Sequence, residues 1–155
     1  MILDAHGLRV ELSRGWSGRV FAGAGGVATL HAGNFQLPLD DGEFGDASTA
    51  AMPDVATFLA LTEYQPGAGL APGVGLFEPR RVPLPLEPTS FGPDRLQHPR
   101  RGQAGAQHFF TASGRPFCMY AVVAGPRRER RHQLLALDRV LRSLEIDKRR
   151  RGPTR

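Results

Sequence analysis

The chain has one cysteine and one lysine among its 155 residues, and it has no long apolar run. The single thiol, Cys118, excludes a disulfide framework within the chain, and a thiolate zinc site would need its other ligands to be of another kind. The single lysine, Lys148, has no glycine-rich loop before it, so a Walker A phosphate cradle is excluded. The same residue would have to serve as any Schiff-base lysine, in a tail that no core desolvates. No stretch approaches the ~18 apolar residues of a bilayer span, and the first residues carry neither a charged nor an apolar leader segment. The expectation is a cytoplasmic protein without a membrane span. There is no His-Glu-x-x-His and no cysteine pair, and no cofactor or metal is expected.

What is abundant is arginine, glycine and proline. Nineteen of the twenty basic residues are arginine, with 19 glycines and 13 prolines. Eleven basic residues fall in 126–155 against four acidic ones, a net of +7, whereas the rest carries nine against eleven, a net of −2. A localised positive field attracts nucleic acid, anionic lipid or an acidic protein surface. Codon bias toward arginine is the plainer source of the same excess.

The sequence Leu8-Arg9-Val10-Glu11-Leu12 alternates strictly, which predicts a strand with Leu8, Val10 and Leu12 on one face. Residues 14–18 turn the chain, with Trp16 either a core anchor or a rim aromatic. Two short strands, 19–22 and 27–31, flank Gly23-Ala24-Gly25-Gly26. That stretch also fits a loose dinucleotide pattern, but no full helix follows, so a plain turn is expected. Gly15-Trp16-Ser17-Gly18 opens like a nucleophile elbow, but Arg19 stands where the second glycine is required. Residues 33–48 read as a loop, 47–52 as a short helical turn and 56–64 as a buried strand. In Val82-Pro83-Leu84-Pro85-Leu86 the prolines delete amide donors on one side only, which predicts an edge strand blunted against pairing or an extended loop, in preference to a polyproline ligand.

The best hairpin joins 107–112 to 117–124, with a type II′ turn at Gly114-Arg115. Its core face carries His108, Phe110, Phe117 and Met119, and Cys118 points the other way as a small buried hydrophobe rather than a nucleophile. Leu134, Leu137, Val140, Leu141 and Leu144 then recur at helical spacing and form one apolar stripe, with Asp138 and Arg142 paired on another face. The prediction is an α+β domain over residues 1–146, a mainly antiparallel sheet with a C-terminal amphipathic helix packed on one face. Residues 147–155 read as a basic, disordered tail.

The two ends of the chain resemble the MOG1/PsbP-like domains. The strand in Gly7-Leu8-Arg9-Val10-Glu11-Leu12 runs into Gly15-Trp16, and a late hairpin precedes a helix closing on Leu141-Arg142-Ser143-Leu144-Glu145-Ile146. That resemblance implies an α/β/α sandwich about an antiparallel sheet and a role in binding partners rather than catalysis. It assigns no functional residue here.

The functional expectation is a non-catalytic protein-interaction module, a subunit or adaptor of a larger assembly. Its candidate contact residues are Asp40, Asp41, Glu43, Phe44 and Asp46, four carboxylates and a phenylalanine in a loop read as solvated. The ligand order of an EF-hand is not met there. The alternative is an electrostatic nucleic-acid binder using Arg127, Arg128, Arg130 and Arg131 at the helix start and Lys148, Arg149, Arg150 and Arg151 beyond its end. No aromatic residues interleave with either run to stack on bases.

Overall fold

The structure is a computed structural model that describes residues 1–67 and 69–149. It contains eight strands: β1 (Ile2–Ala5), β2 (Leu8–Glu11), β3 (Ser17–Ala22), β4 (Ala28–Gly33), β5 (Ala56–Glu63), β6 (Gln103–Ala112), β7 (Arg115–Ala124) and β8 (Glu145–Ile146). Two α-helices join them, the short α1 (Asp46–Ala50) and the long α2 (Arg127–Ser143). All strand pairs are antiparallel. One sheet has the order β1-β2-β8 and the other β3-β4-β5-β7-β6. The fold is α+β, with the C-terminal helix packed against the sheets.

The core has two compartments, one on each face of the five-stranded sheet. On the helix face, Leu59 and Leu61 of β5 and Met119 and Ala121 of β7 meet Leu134, Leu137 and Val140 of α2 and the alternating Leu8, Val10 and Leu12. On the other face, Phe58, Ala60, Tyr120 and Val122 are covered by Phe35, Leu37, Phe44 and Met52. Burial on both sides explains why 56–63 has no period of two in its hydrophobicity: every position of β5 and β7 is buried. Each fully buried stripe residue of α2 contributes about 1.5–3 kcal/mol before entropic costs.

Two tight hairpins use the same turn. His6 and Gly7 link β1 to β2, and Ser113 and Gly114 link β6 to β7, with all four φ angles between 52° and 78°. That is a type I′ turn, whose twist matches the flanking strands. The second corrects the expected Gly114-Arg115 loop by two residues of register: Ala112 pairs with Arg115 and Phe110 with Phe117. A shift of two keeps every side chain on its predicted face, so Cys118 opposes Phe109 and lies away from His108. The strand β1 has no period of two in its sequence, since Ile2 and Leu3 are both apolar, and none of its residues is fully buried.

Of the two expectations for residues 82–86, edge strand or extended loop, the segment is not a strand but an irregular connection. It wraps over the helix-side core, burying Val82 and Leu86, with a cis bond between Leu84 and Pro85. The amide of Leu86 donates to Asp138 Oδ1 at 2.9 Å. Asp138 is therefore turned inward to hold this segment, rather than outward to Arg142. The edge of β6 is instead clamped at two points, where Gly105 exchanges hydrogen bonds with Gly92 and the Thr111 amide donates to the Pro79 carbonyl.

Candidate functional site

The acidic loop is a lid over the second core compartment, not a solvated strip. The Asp41 side chain is fully buried. Its Oδ1 accepts from the amides of Gly42 and Ala47, and its Oδ2 from the amide and hydroxyl of Ser48, so it caps α1 from outside the helix. Burial alone would push its carboxyl up, but the Ser48 hydroxyl, the two helix amides and nearby His31 hold it below the ordinary range. Phe44 packs edge-on to Tyr120. Gly45 sits at the helix N-cap with φ 74°, where a side chain would enter the Phe58 ring. Asp40, Glu43 and Asp46 are exposed. The Glu43 carbonyl accepts from Thr62 Oγ1 and is paired with His31 Nε2, and Asp46 pairs with Arg100 at 2.8 Å. Of the five residues expected to meet a partner, two are thus committed to the body and a third is held by an arginine.

His31 lies beneath this lid, between the rings of Phe21 and Phe58. Burial lowers its pKa, opposed by the Glu43 carbonyl and the Asp41 charge. Its Nδ1 stands 3.9 Å from Asp41 Oδ2 and has no hydrogen-bond partner. Cys118 is buried, and burial pushes its thiol up to about 12, so it is protonated at neutral pH.

The basic residues divide between opposite ends of β7. Arg127, Arg128 and Arg131 are exposed beside the Ala124 end, where Gln133 of α2 donates to the Ala124 carbonyl. Arg130 is half-buried. Lys148 and Arg149 lie at the Arg115 end, lining a depression of about 490 Å³. Nine residue steps of β7 separate the two ends, roughly 30 Å at 3.3 Å per residue. Arg150 and Arg151 lie outside the described residues. The described part of the expected tail is docked: the Asp147 amide donates to Gly7, and Arg149 Nε reaches Glu63 Oε2 at 3.1 Å.

That contact joins a charged cluster that sequence reasoning missed. Arg115, read as a turn residue, is buried, and its guanidinium grips both oxygens of buried Glu63 at 2.9 and 3.0 Å. Its remaining donors reach the carbonyls of His6 and Asp147. Burial would raise the Glu63 pKa, but hydrogen bonds from Arg115, Arg149 and the Ala28 amide hold it below the ordinary value. Every group is satisfied, so the cluster staples the chain's ends to the sheet. The available signal was a lone carboxylate closing an apolar run and a lone arginine opening one.

A concavity of about 810 Å³ lies between α2 and the segment 79–84. Phe110 and Ala112 of β6 form its floor. Pro79, Val82 and Leu84 line one wall, and Leu141, Leu144 and Ile146 the other. Arg80 and Arg81 stand on the first wall and Arg142 on the second. All three are exposed, and none has an ion-pair partner among the described residues. The described lining holds no carboxylate, thiol, imidazole or serine hydroxyl. Such a groove can bind apolar groups and attract negative charge. It offers no nucleophile and no acid–base pair.

No protein-family model matches the chain, and neither the curated proteins nor the solved structures yield a match. Among the described residues, no cluster of His, Cys, Asp and Glu is arranged to hold a metal ion, and no helix is long and apolar enough to cross a membrane.

Proposed function

We propose that this protein is a non-catalytic interaction module, a subunit or adaptor, that seats a segment of another protein in the groove between residues 79–84 and the end of α2. The observation that carries this reading is an open apolar channel whose lining has no reactive side chain. Leu84, Leu144 and Ile146 are only partly buried there, and covering them would release water from apolar surface. The resemblance of the chain's two ends to MOG1/PsbP-like domains points the same way, since those domains mostly bind partners. The splitting of the basic residues between two ends of the molecule favours a protein over a nucleic acid.

The test places a photo-crosslinking amino acid at position 84 and, as a control, at position 128. Cross-linking in native lysate follows, with and without nuclease. The expected result is one protein joined through position 84 only, surviving nuclease and lost when Ala112→Arg fills the floor. Equal labelling from both positions, or products that Ala112→Arg leaves intact, would overturn the reading.

A further inference from the structure

We infer that the segment bound in this groove is acidic and amphipathic, with apolar side chains over Phe110 and Leu84 and carboxylates flanking them on both sides. This rests on the interaction reading above and adds the partner's chemistry to it.

Some arginines elsewhere on the surface are engaged, while Arg14, Arg101, Arg127, Arg128, Arg131 and Arg139 are exposed without an ion pair among the described residues and lie outside the groove's lining. Arg9 pairs with Asp4, Arg100 with Asp46, and Arg19 and Arg95 donate to loop carbonyls. Around the groove the charge is unopposed. Glu145 adjoins it in sequence but lies 3.9 Å from Arg9 instead. Arg142 has a local reason for its place, since the last turn of a helix favours a cation. Arg80 and Arg81 have none, because they are not in a helix and neither makes an ion pair among the described residues. The lining therefore presents three positive charges and no negative one around an apolar floor.

The placement also selects among occupants. The charges stand on both walls, so a complementary ligand needs anionic groups on both sides of an apolar strip. A peptide with carboxylates flanking leucine or phenylalanine supplies that. A fatty acid, with one head group, meets one wall and leaves the other unpaired. A second copy of this chain would have to bring an acidic apolar segment. The acidic loop is folded down on its own sheet and its Phe44 is packed. Rim charges of this kind act mainly on association rate and on salt dependence.

The experiment pans a display library of random twelve-residue peptides against the full chain. A fluorescein-labelled copy of the most enriched sequence is then measured by anisotropy. Enriched peptides should combine leucine, isoleucine or phenylalanine with at least two Asp or Glu. Affinity should fall at least about ten-fold in the R80Q/R81Q/R142Q triple variant and should weaken as salt rises. Should Leu84→Asp disturb folding, the triple variant, which changes only exposed side chains, still decides the matter. Neutral or basic peptides blocked by Leu84→Asp would overturn this inference and leave the groove reading standing. No enrichment, or peptides indifferent to both variants, would overturn both. Saturable binding of oleate with no peptide enrichment would assign the groove to a lipid. Dimerisation abolished by the triple variant would assign it to a second copy. Either of those results also overturns the inference.

Discussion

Residues 34–52 and residues 79–95 are both irregular, and each covers part of the five-stranded sheet. The first has charge of one sign only, four carboxylates, and its central carboxylate is consumed internally. Asp41 caps α1, while Phe44 fills the compartment over Tyr120. The second is rich in proline and apolar residues, and it buries Val82, Leu86 and Phe91. Yet it leaves Arg80 and Arg81 unpaired beside an open channel. Clustered charge in sequence therefore does not by itself mark free charge, since the fold has already used the central carboxylate and the ring of the first segment. What marks a surface as available is charge and apolar area that the fold has not already used.

The largest effect is expected in α2, which shares its core with the second segment and supports the sheet that both segments cover. Leu137→Asp would place an unpaired carboxylate at a fully buried position of α2. That costs several kcal/mol against a typical total of about 5–15, so the variant should show no cooperative thermal transition by circular dichroism. A cooperative melt near the parent's would mean that α2 is not docked as described.

The next largest effect separates the acidic residues of the first segment from one another. Asp41→Ala removes the acceptor for three amides and a hydroxyl. It should lose about 2–3 kcal/mol in urea unfolding, since hydrogen bonds to a buried charged group are costly to break. Asp40→Ala, on an exposed residue, should stay within about 0.5 kcal/mol. Similar losses from the two would return the loop to a solvated strip.

Acid titration sharpens the same point. The folded chain holds His31 below its ordinary 6.5, so on acidification the unfolded chain takes up this proton first. Stability should decline as pH falls below about 6.5 and go on declining until the folded-state pKa is passed. Asp41 and Glu63 are held below their ordinary 3.8 and 4.5. Their contributions are present above those values and are lost as pH falls through the lower folded ones. His31→Gln should reduce the first phase and leave the second unchanged, as read from urea midpoints across the pH range, with His108, which burial also holds below 6.5, supplying the remainder. An unchanged first phase in that variant would place the titrating group elsewhere.

The smallest stability effect belongs to the second segment. The R80Q/R81Q/R142Q variant should unfold within about 0.5 kcal/mol of the parent, because none of the three has an ion-pair partner among the described residues. A loss above 1 kcal/mol would show these arginines to be structural and would weaken the case for the groove.

Local pattern by itself determined much of this protein. The alternation over 8–12 produced β2, the stripe from Leu134 to Leu141 produced α2, and the faces of the late hairpin came out as predicted despite the shifted turn. These depend on periods of two and 3.6, which neighbouring residues encode directly. Only the tertiary structure decided which charges are spent. Glu63 and Arg115 are 52 residues apart, as are Leu86 and Asp138, and nothing local to either partner predicts the meeting. The groove is of the same kind: 79–84 and 141–146 are remote in sequence and become neighbours only because both pack against β6 and the core beneath it. Burial of apolar surface drove that juxtaposition, and the unpaired arginines at its rim followed from the packing rather than from any motif.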